Sequence, residues 1–158
     1  VGVGHAGEIA PTIVRELGIS AVDVSGAGGT SWVGVETKRA DEAARVLGDE
    51  LWDWGIPTGA SVGVLADLGL SIIATGGLRT GTDVAHALAL GATAGGLAAP
   101  VLRAYKSGGY DGALAYLQHV IDCIRAITFL CGCRTSAELR HVPRVLGPRL
   151  HAWIQQAR

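Results

Sequence analysis

Two short glycine-rich segments carry the residues best suited to hold a phosphate group. Residues 75–81 read Thr-Gly-Gly-Leu-Arg-Thr-Gly, and residues 95–100 read Gly-Gly-Leu-Ala-Ala-Pro. Glycine lets the backbone turn its N–H groups toward an anion, and Arg79 adds a positive charge. The small residues of the second segment let a phosphate approach the backbone closely. Either segment alone could be an ordinary tight turn, but the two in succession favour an anion-binding function.

A third glycine-rich segment precedes these two and has a different character. Residues 23–32 read Asp-Val-Ser-Gly-Ala-Gly-Gly-Thr-Ser-Trp, which is too rich in glycine for a simple connector. The hydroxyls of Thr30 and Ser31 could donate hydrogen bonds to a ring or a phosphate. Trp32 could form the wall of a pocket or pack over the loops. Asp23 is expected to order the segment by accepting backbone N–H bonds rather than to contact a substrate.

The elements that position these loops repeat along the chain. A helix end, a Leu-Gly pair, a short apolar strand and a glycine-rich loop recur in the same order, with strands predicted at residues 21–24, 71–75 and 94–97. Glycine after the last helical leucine is typical of a helix C-terminus. Short strands that are continuously apolar are typical of buried parallel sheets. The pattern therefore predicts an α/β protein of parallel βα units, with the strands adjacent in one sheet.

The helices are predicted from apolar spacing and capping residues. Thr82 is expected to cap a helix at residues 83–90, where Asp83 suits the positive end of the helix dipole. Leu114, Leu117 and Ile121 recur at helical spacing and predict the longest helix. The predicted helices are residues 8–17, 40–54, 57–68, 83–90, 111–130, 136–141 and 151–158, with a further short helix beginning at Pro100.

Composition limits the possible partners. The net charge is −1 and no basic stripe is present, so nucleic acid is not expected as a partner. No apolar run reaches the roughly 20 residues of a membrane helix. The three cysteines, Cys123, Cys131 and Cys133, have the wrong spacing for zinc and indicate a reducing, cytoplasmic environment rather than a disulfide framework. We expect a cytoplasmic protein without a metal site in this chain.

The glycine-rich strings together resemble a known family. Asp-Val-Ser-Gly-Ala-Gly-Gly-Thr-Ser-Trp, followed by Gly-Gly-Leu-Arg-Thr-Gly and Gly-Leu-Ala-Ala-Pro, is similar to the type 2 isopentenyl diphosphate isomerases. The first string is the discriminating one, since the wider superfamily of FMN-dependent barrels shares the other two. The resemblance implies a (β/α)8 TIM barrel. A complete barrel needs about 250 residues, so residues 1–158 are expected to be a single partial domain, the C-terminal half, within a longer chain.

The resemblance also implies a reaction and its cofactors. These enzymes interconvert isopentenyl and dimethylallyl diphosphate with FMN, which is reduced by NADPH, while Mg²⁺ binds the diphosphate of the substrate. The reduced flavin itself serves as acid and base, and the protein positions it. Full-length relatives are expected to be homo-oligomers. Carried over by motif, Thr30 would reach the flavin side, and a second group would cradle its phosphate: Gly77, Leu78, Arg79, Ala98 and Ala99.

The departures from the family concern catalysis. The Lys that touches the flavin, the metal ligands and the basic residues that hold substrate belong to the family's N-terminal half, so no catalytic residue is assigned here. We therefore expect the 158-residue chain alone to bind FMN weakly and to be inactive. An FMN-dependent 2-hydroxy acid oxidase or dehydrogenase is the alternative enzyme, although those place His-Gly-Gly-Arg where this chain has Gly-Ala-Gly-Gly-Thr. A non-catalytic half-barrel that binds phosphate or FMN is the other alternative.

Overall fold

A parallel sheet organises the part of the chain that the computed structural model describes, residues 16–156. Its strands are β1 (Ala21–Asp23), β2 (Ser71–Ala74) and β3 (Ala94–Gly95), hydrogen-bonded in the order β1-β2-β3. Val22 pairs with Ile72, and Ile73 pairs with Ala94. The prediction of adjacent parallel strands in an α/β protein is confirmed, although β3 is shorter than predicted.

The helices lie between and after the strands. In chain order they are α1 (Trp32–Thr37), α2 (Glu42–Glu50), α3 (Thr58–Leu65), α4 (Gly81–Leu90), α5 (Ala99–Leu130) and α6 (Pro148–Gln156). Short 3-10 helices occupy Ala66–Leu68 and Ser136–His141. The last of these was predicted as a short helix. The helix predicted at residues 8–17 lies almost entirely outside the described residues.

One face of the sheet forms the core. Side chains alternate between the two faces of a strand, and Val24, Ile72 and Ala74 are buried against α3, α4 and α5. The opposite face is exposed: Asp23, Ser71 and Ile73 lie on it, and Ile73 keeps 39% of its surface exposed. Within residues 16–156 the sheet is therefore covered on one side only.

The start of α4 differs from the prediction by two residues. Thr80, not Thr82, is the N-cap, because its hydroxyl accepts from the N–H of Asp83. The carboxylate of Asp83 in turn accepts from the N–H of Thr80 at 2.9 Å. This reciprocal pair is a capping box, which satisfies N–H groups that the first helical turn leaves unpaired. The Thr82 assignment was wrong because sequence spacing alone did not place Asp83 at the third helical position.

Other boundaries were also wrong. α1 was not predicted, the helix predicted at residues 40–54 extends only from Glu42 to Glu50, and the final helix begins at Pro148 rather than His151. The longest helix begins at Ala99, but Gly108 and Gly109 have non-helical backbone angles and divide it. The portion after this break matches the predicted residues 111–130.

The exposed side of α5 was not anticipated from its apolar spacing. Leu114 and Ile121 are 51% and 44% exposed, whereas Ile124 and Ile127 pack against the core. By length and composition alone, α5 is the one helix within residues 16–156 that could cross a membrane. Core helices of soluble proteins pass the same test, so the expectation of no membrane partner stays a prediction.

Candidate functional site

A cleft of about 510 Å³ opens at the C-terminal ends of the strands. The loops after β1, β2 and β3 all contribute to its lining, because parallel strands end at the same edge of a sheet. It brings together every residue that the sequence predicted for the cofactor site: Thr30, Gly77, Leu78, Arg79, Ala98 and Ala99. Residues separated by about 70 positions in the chain thus meet in one place.

Asp23 and Thr75 fix the beginning of the loop after β1. The Asp23 carboxylate accepts hydrogen bonds from the Ser25 N–H, at 2.9 Å, and from the Thr75 hydroxyl. The Ser25 N–H also lies 3.1 Å from the Thr75 hydroxyl oxygen, and Ser25 adopts a left-handed φ of 41°. The expectation that Asp23 orders this loop by accepting N–H bonds is confirmed.

The first and second loops interlock through their glycines. A Cβ added at Gly76 would overlap the carbonyl oxygen of Gly26, and one added at Gly77 would overlap that of Gly28. Gly76 and Gly77 also have positive φ angles of 105° and 88°, which side chains rarely adopt. The glycines of these two loops therefore allow the two backbones to contact each other. The sequence analysis had explained the same glycines by ligand binding.

The segment at the start of α3 holds the interlocked loops in place through hydrogen bonds. The Thr58 hydroxyl at the start of α3 donates to the carbonyl oxygen of Gly76 at 2.5 Å and lies 3.2 Å from that of Thr75. Just before it, the N–H of Ala27 donates to the carbonyl oxygen of Ile56 at 2.8 Å. Thr58 is buried. These bonds hold the first two loops in fixed positions relative to α3.

Several backbone N–H groups at the cleft have no protein partner. Within residues 16–156, no hydrogen bond occupies the N–H groups of Gly77, Leu78 or Ala98. The N–H of Ala99, in the first turn of α5, has no partner inside the helix. Free N–H groups at a helix N-terminus and a glycine turn form an environment that favours an anion.

Arg79 contributes its side chain rather than its backbone N–H. The N–H donates to the Asp83 carboxylate at 2.9 Å and is therefore not free for a ligand. The carbonyl oxygen of Arg79 accepts from the Tyr116 hydroxyl, and its guanidinium lies 3.4 Å from the carbonyl oxygen of Gly28. The backbone of Arg79 is thus held on both sides while the charged group lines the cleft.

A known protein family matches the part of the chain that forms the cleft. The family model described as FMN-dependent dehydrogenase matches residues 7–144. The chain belongs to this family. The FMN-dependent dehydrogenase match includes all three strands and all three loops of the cleft.

Curated relatives have a more specific name, isopentenyl-diphosphate delta-isomerase. The relative from Thermococcus onnurineus is 46% identical over 157 residues, which are 98% of this chain and 42% of that protein. The relative from Methanothermobacter thermautotrophicus is 43% identical over 144 residues, 90% of this chain and 40% of that protein. This member of the FMN-dependent dehydrogenase family therefore spans about two fifths of the length of the curated relatives it matches.

Arg103 is a cleft residue that the sequence analysis missed. It lines the cleft together with Arg79 and lies four positions after Ala99 in α5. Residues four apart lie on the same helix face, so a helix begun at residue 99 would have placed Arg103 beside the third loop. The sequence analysis expected a short helix from Pro100 and a separate long helix from residue 111, and assigned no role to Arg103. In this FMN-dependent dehydrogenase family member, the cleft thus has two guanidinium groups rather than one.

Trp32 lines the cleft at the first turn of α1 and is 68% exposed. This favours its role as a wall over its role as a packing residue. Within residues 16–156, no three or more His, Cys, Asp or Glu side chains lie together so that they could hold a metal ion. Cys123, Cys131 and Cys133 are free thiols. The chemistry that the described residues support is the binding of an anionic group against backbone N–H and arginine.

Proposed function

We propose that this chain is the C-terminal half of a (β/α)8 barrel and holds the FMN phosphate of an isopentenyl-diphosphate delta-isomerase. The observation that carries the proposal is the meeting of the three glycine-rich loops in one cleft at the C-terminal ends of parallel strands. Phosphate groups bind in this position in many barrels of this type. Relatives with the isomerase name align over nearly the whole chain.

The bare face of the sheet supports the half-barrel. Parallel sheets are normally covered on both faces, yet Ser71 and Ile73 are exposed here. In a closed barrel the same face would point inward and pack against the remaining strands. The curated relatives have more than twice the length of this chain, which is enough for those strands.

The N–H groups and the arginine that line the cleft suit the phosphate of FMN. The N–H groups of Gly77, Leu78 and Ala99 would face the phosphate oxygens, and Arg79 would add a charge-assisted hydrogen bond. Thr30, whose side chain is exposed at the rim, would reach the flavin side. FMN, once reduced by NADPH, supplies the acid and base that shift the double bond of the substrate. The substrate diphosphate and its Mg²⁺ would be held by the other half of the barrel.

A 2-hydroxy acid dehydrogenase is the second candidate, since the matched family model has the description FMN-dependent dehydrogenase. Such an enzyme needs a base and a carboxylate clamp in the first loop. Here residues 26–30, Gly-Ala-Gly-Gly-Thr, occupy that position and contain no His or Arg, and Gly26 and Gly28 touch the second loop backbone to backbone. The first loop therefore favours the isomerase.

A chimera tests the proposed function. The segment of this chain that aligns with the Thermococcus onnurineus isomerase would replace the corresponding segment of that enzyme, with isopentenyl diphosphate conversion measured in the presence of FMN, NADPH and Mg²⁺. We expect turnover within about tenfold of the parent enzyme, a difference of roughly 1.4 kcal/mol in the barrier. A folded chimera that binds FMN but does not isomerise would refute the isomerase assignment. Absence of FMN binding would refute the cofactor assignment.

The isolated chain provides the complementary measurement. We expect residues 1–158 to bind FMN weakly and to show no turnover, because in the proposed half-barrel the described loops hold the flavin from one side and the substrate is held by the other half. Isomerisation by the isolated chain at a rate within about tenfold of the full-length relative would show that the chemistry lies within these residues.

A further inference from the structure

The part of the cleft that residues 16–156 form is positively charged and has no carboxylate in its lining. Among its lining residues, Arg79 and Arg103 are the charged side chains, and the remainder are small, apolar or hydroxyl-bearing. The N-terminus of α5 adds the partial positive charge of a helix dipole on the same side. Two guanidinium groups close to a helix N-terminus repel each other and the dipole unless an anion lies between them.

Arg103 has no structural partner to account for its charge. Within residues 16–156 it makes no ion pair and no hydrogen bond through its side chain. Arg125, farther along the same helix, instead pairs with Asp122 at 3.1 Å. Helical side chains tilt toward the N-terminus, so the Arg103 side chain is directed toward the first turn of α5, where the N–H of Ala99 has no partner inside the helix.

We propose that Arg103 is a second phosphate-binding cation that, with Arg79, makes the cleft selective for a dianionic terminal phosphate monoester. The inference rests on the proposed function and deepens it: the site recognises the phosphate group of FMN through two arginines, one on the second loop and one in the first turns of α5. A monoester at neutral pH has a charge of about −1.5 to −2. One arginine neutralises only part of this charge, and the second accounts for the rest.

The experiment compares Arg103→Ala with Lys106→Ala in the 158-residue chain. Lys106 lies in the same helical segment but does not line the cleft, so it controls for the loss of one positive charge. Three probes are titrated at low and high salt: FMN, riboflavin and inorganic phosphate. Riboflavin has the same ring and side chain as FMN but no phosphate. Circular dichroism and the urea midpoint report whether each variant is folded, and Arg103→Gln serves if Arg103→Ala is not.

We expect Arg103→Ala to weaken FMN and phosphate affinity by about tenfold or more at low salt, as for a lost charge-assisted hydrogen bond. Riboflavin affinity should be unchanged, Lys106→Ala should have an effect below about threefold, and Arg103→Lys should recover part of the affinity. Equal FMN and phosphate affinities for the Arg103→Ala and Lys106→Ala variants would overturn the proposal.

The probes separate this inference from the proposed function. Phosphate binding that depends on Arg103, in a chain and chimera that do not bind FMN, would sustain the second cation and refute the FMN assignment. FMN binding that does not change when Arg103 is substituted would support the FMN assignment and refute the role of Arg103. If none of the probes binds to the chain, the role of Arg103 in anion selection is refuted.

Discussion

Asp83 connects the stability of α4 to the position of Arg79. Its carboxylate accepts hydrogen bonds from the N–H groups of Arg79 and Thr80, both at 2.9 Å. Burial raises the pKa of this carboxyl, but the hydrogen bonds from Arg79 and Thr80, together with the nearby His86, outweigh burial and hold the pKa below its ordinary value. The ionised form is therefore the one that the fold stabilises.

We expect Asp83→Ala to lower the free energy of unfolding by about 1–2 kcal/mol at pH 7. Each hydrogen bond that the Asp83 carboxylate accepts contributes about 0.5–1.5 kcal/mol, and loss of a negative charge from the first turn costs about 0.3–1 kcal/mol. Asp83→Asn keeps an acceptor oxygen and loses only the charge, so its cost should be near the smaller figure. In a chain of this length, 1 kcal/mol corresponds to roughly 2–4 °C in Tm.

The pH dependence gives the second half of this prediction. Because the folded pKa is depressed, the stabilisation by Asp83 is fully present above the unfolded pKa, about 3.9. It is lost as the pH falls through the folded pKa. The difference between the parent chain and Asp83→Asn should therefore disappear in acid, as measured by urea unfolding at a series of pH values.

Asp122→Asn is the matched control for Asp83, since Asp122 is exposed in α5, where its carboxylate pairs with Arg125 and accepts a hydrogen bond from the Gln118 amide at 2.9 Å. Such a pair contributes about 0–1 kcal/mol. If Asp83→Ala destabilised the chain no more than this control, the capping box would not have the role described. A deficit for Asp83→Asn that persisted in strong acid would refute the linkage to ionisation.

Two further substitutions test the loops. Gly77→Ala should cost about 1–3 kcal/mol more than Gly69→Ala in urea unfolding, because both glycines have positive φ but only Gly77 would meet another backbone; equal losses would contradict the interlock. Arg79→Ala should reduce FMN affinity by about 1.5–3 kcal/mol in calorimetry and leave riboflavin affinity unchanged, and an unaltered FMN Kd would remove Arg79 from the site.

The strands and the site loops could be predicted from sequence because their signals are local. Leu-Gly pairs and apolar runs of a few residues located the strands, and the glycine strings located the cleft. The helix cap was misplaced because Thr80 and Thr82 are equally good caps by type, and only the reciprocal bond with Asp83 distinguishes them.

Features that depend on distant parts of the chain were not predictable. Apolar spacing showed which residues of α5 share a face, but not that Leu114 and Ile121 would remain exposed. Arg103 was missed although a short helix was expected from Pro100, because the side chains of that helix were not considered as part of the site. The contact between Gly76 and Gly26 joins residues 50 positions apart, and no local signal indicates such a contact.

Because their glycines interlock, the first two loops have to change together when the sequence changes. A loop grafted from another barrel would bring side chains or backbone angles that its neighbour does not accommodate, so new specificities require both loops to be exchanged together. A mutational scan of Gly26, Gly28, Gly76 and Gly77 should show intolerance even in the absence of selection for ligand binding. Invariance at these positions across natural sequences would therefore indicate how the loops are assembled rather than which molecule they bind.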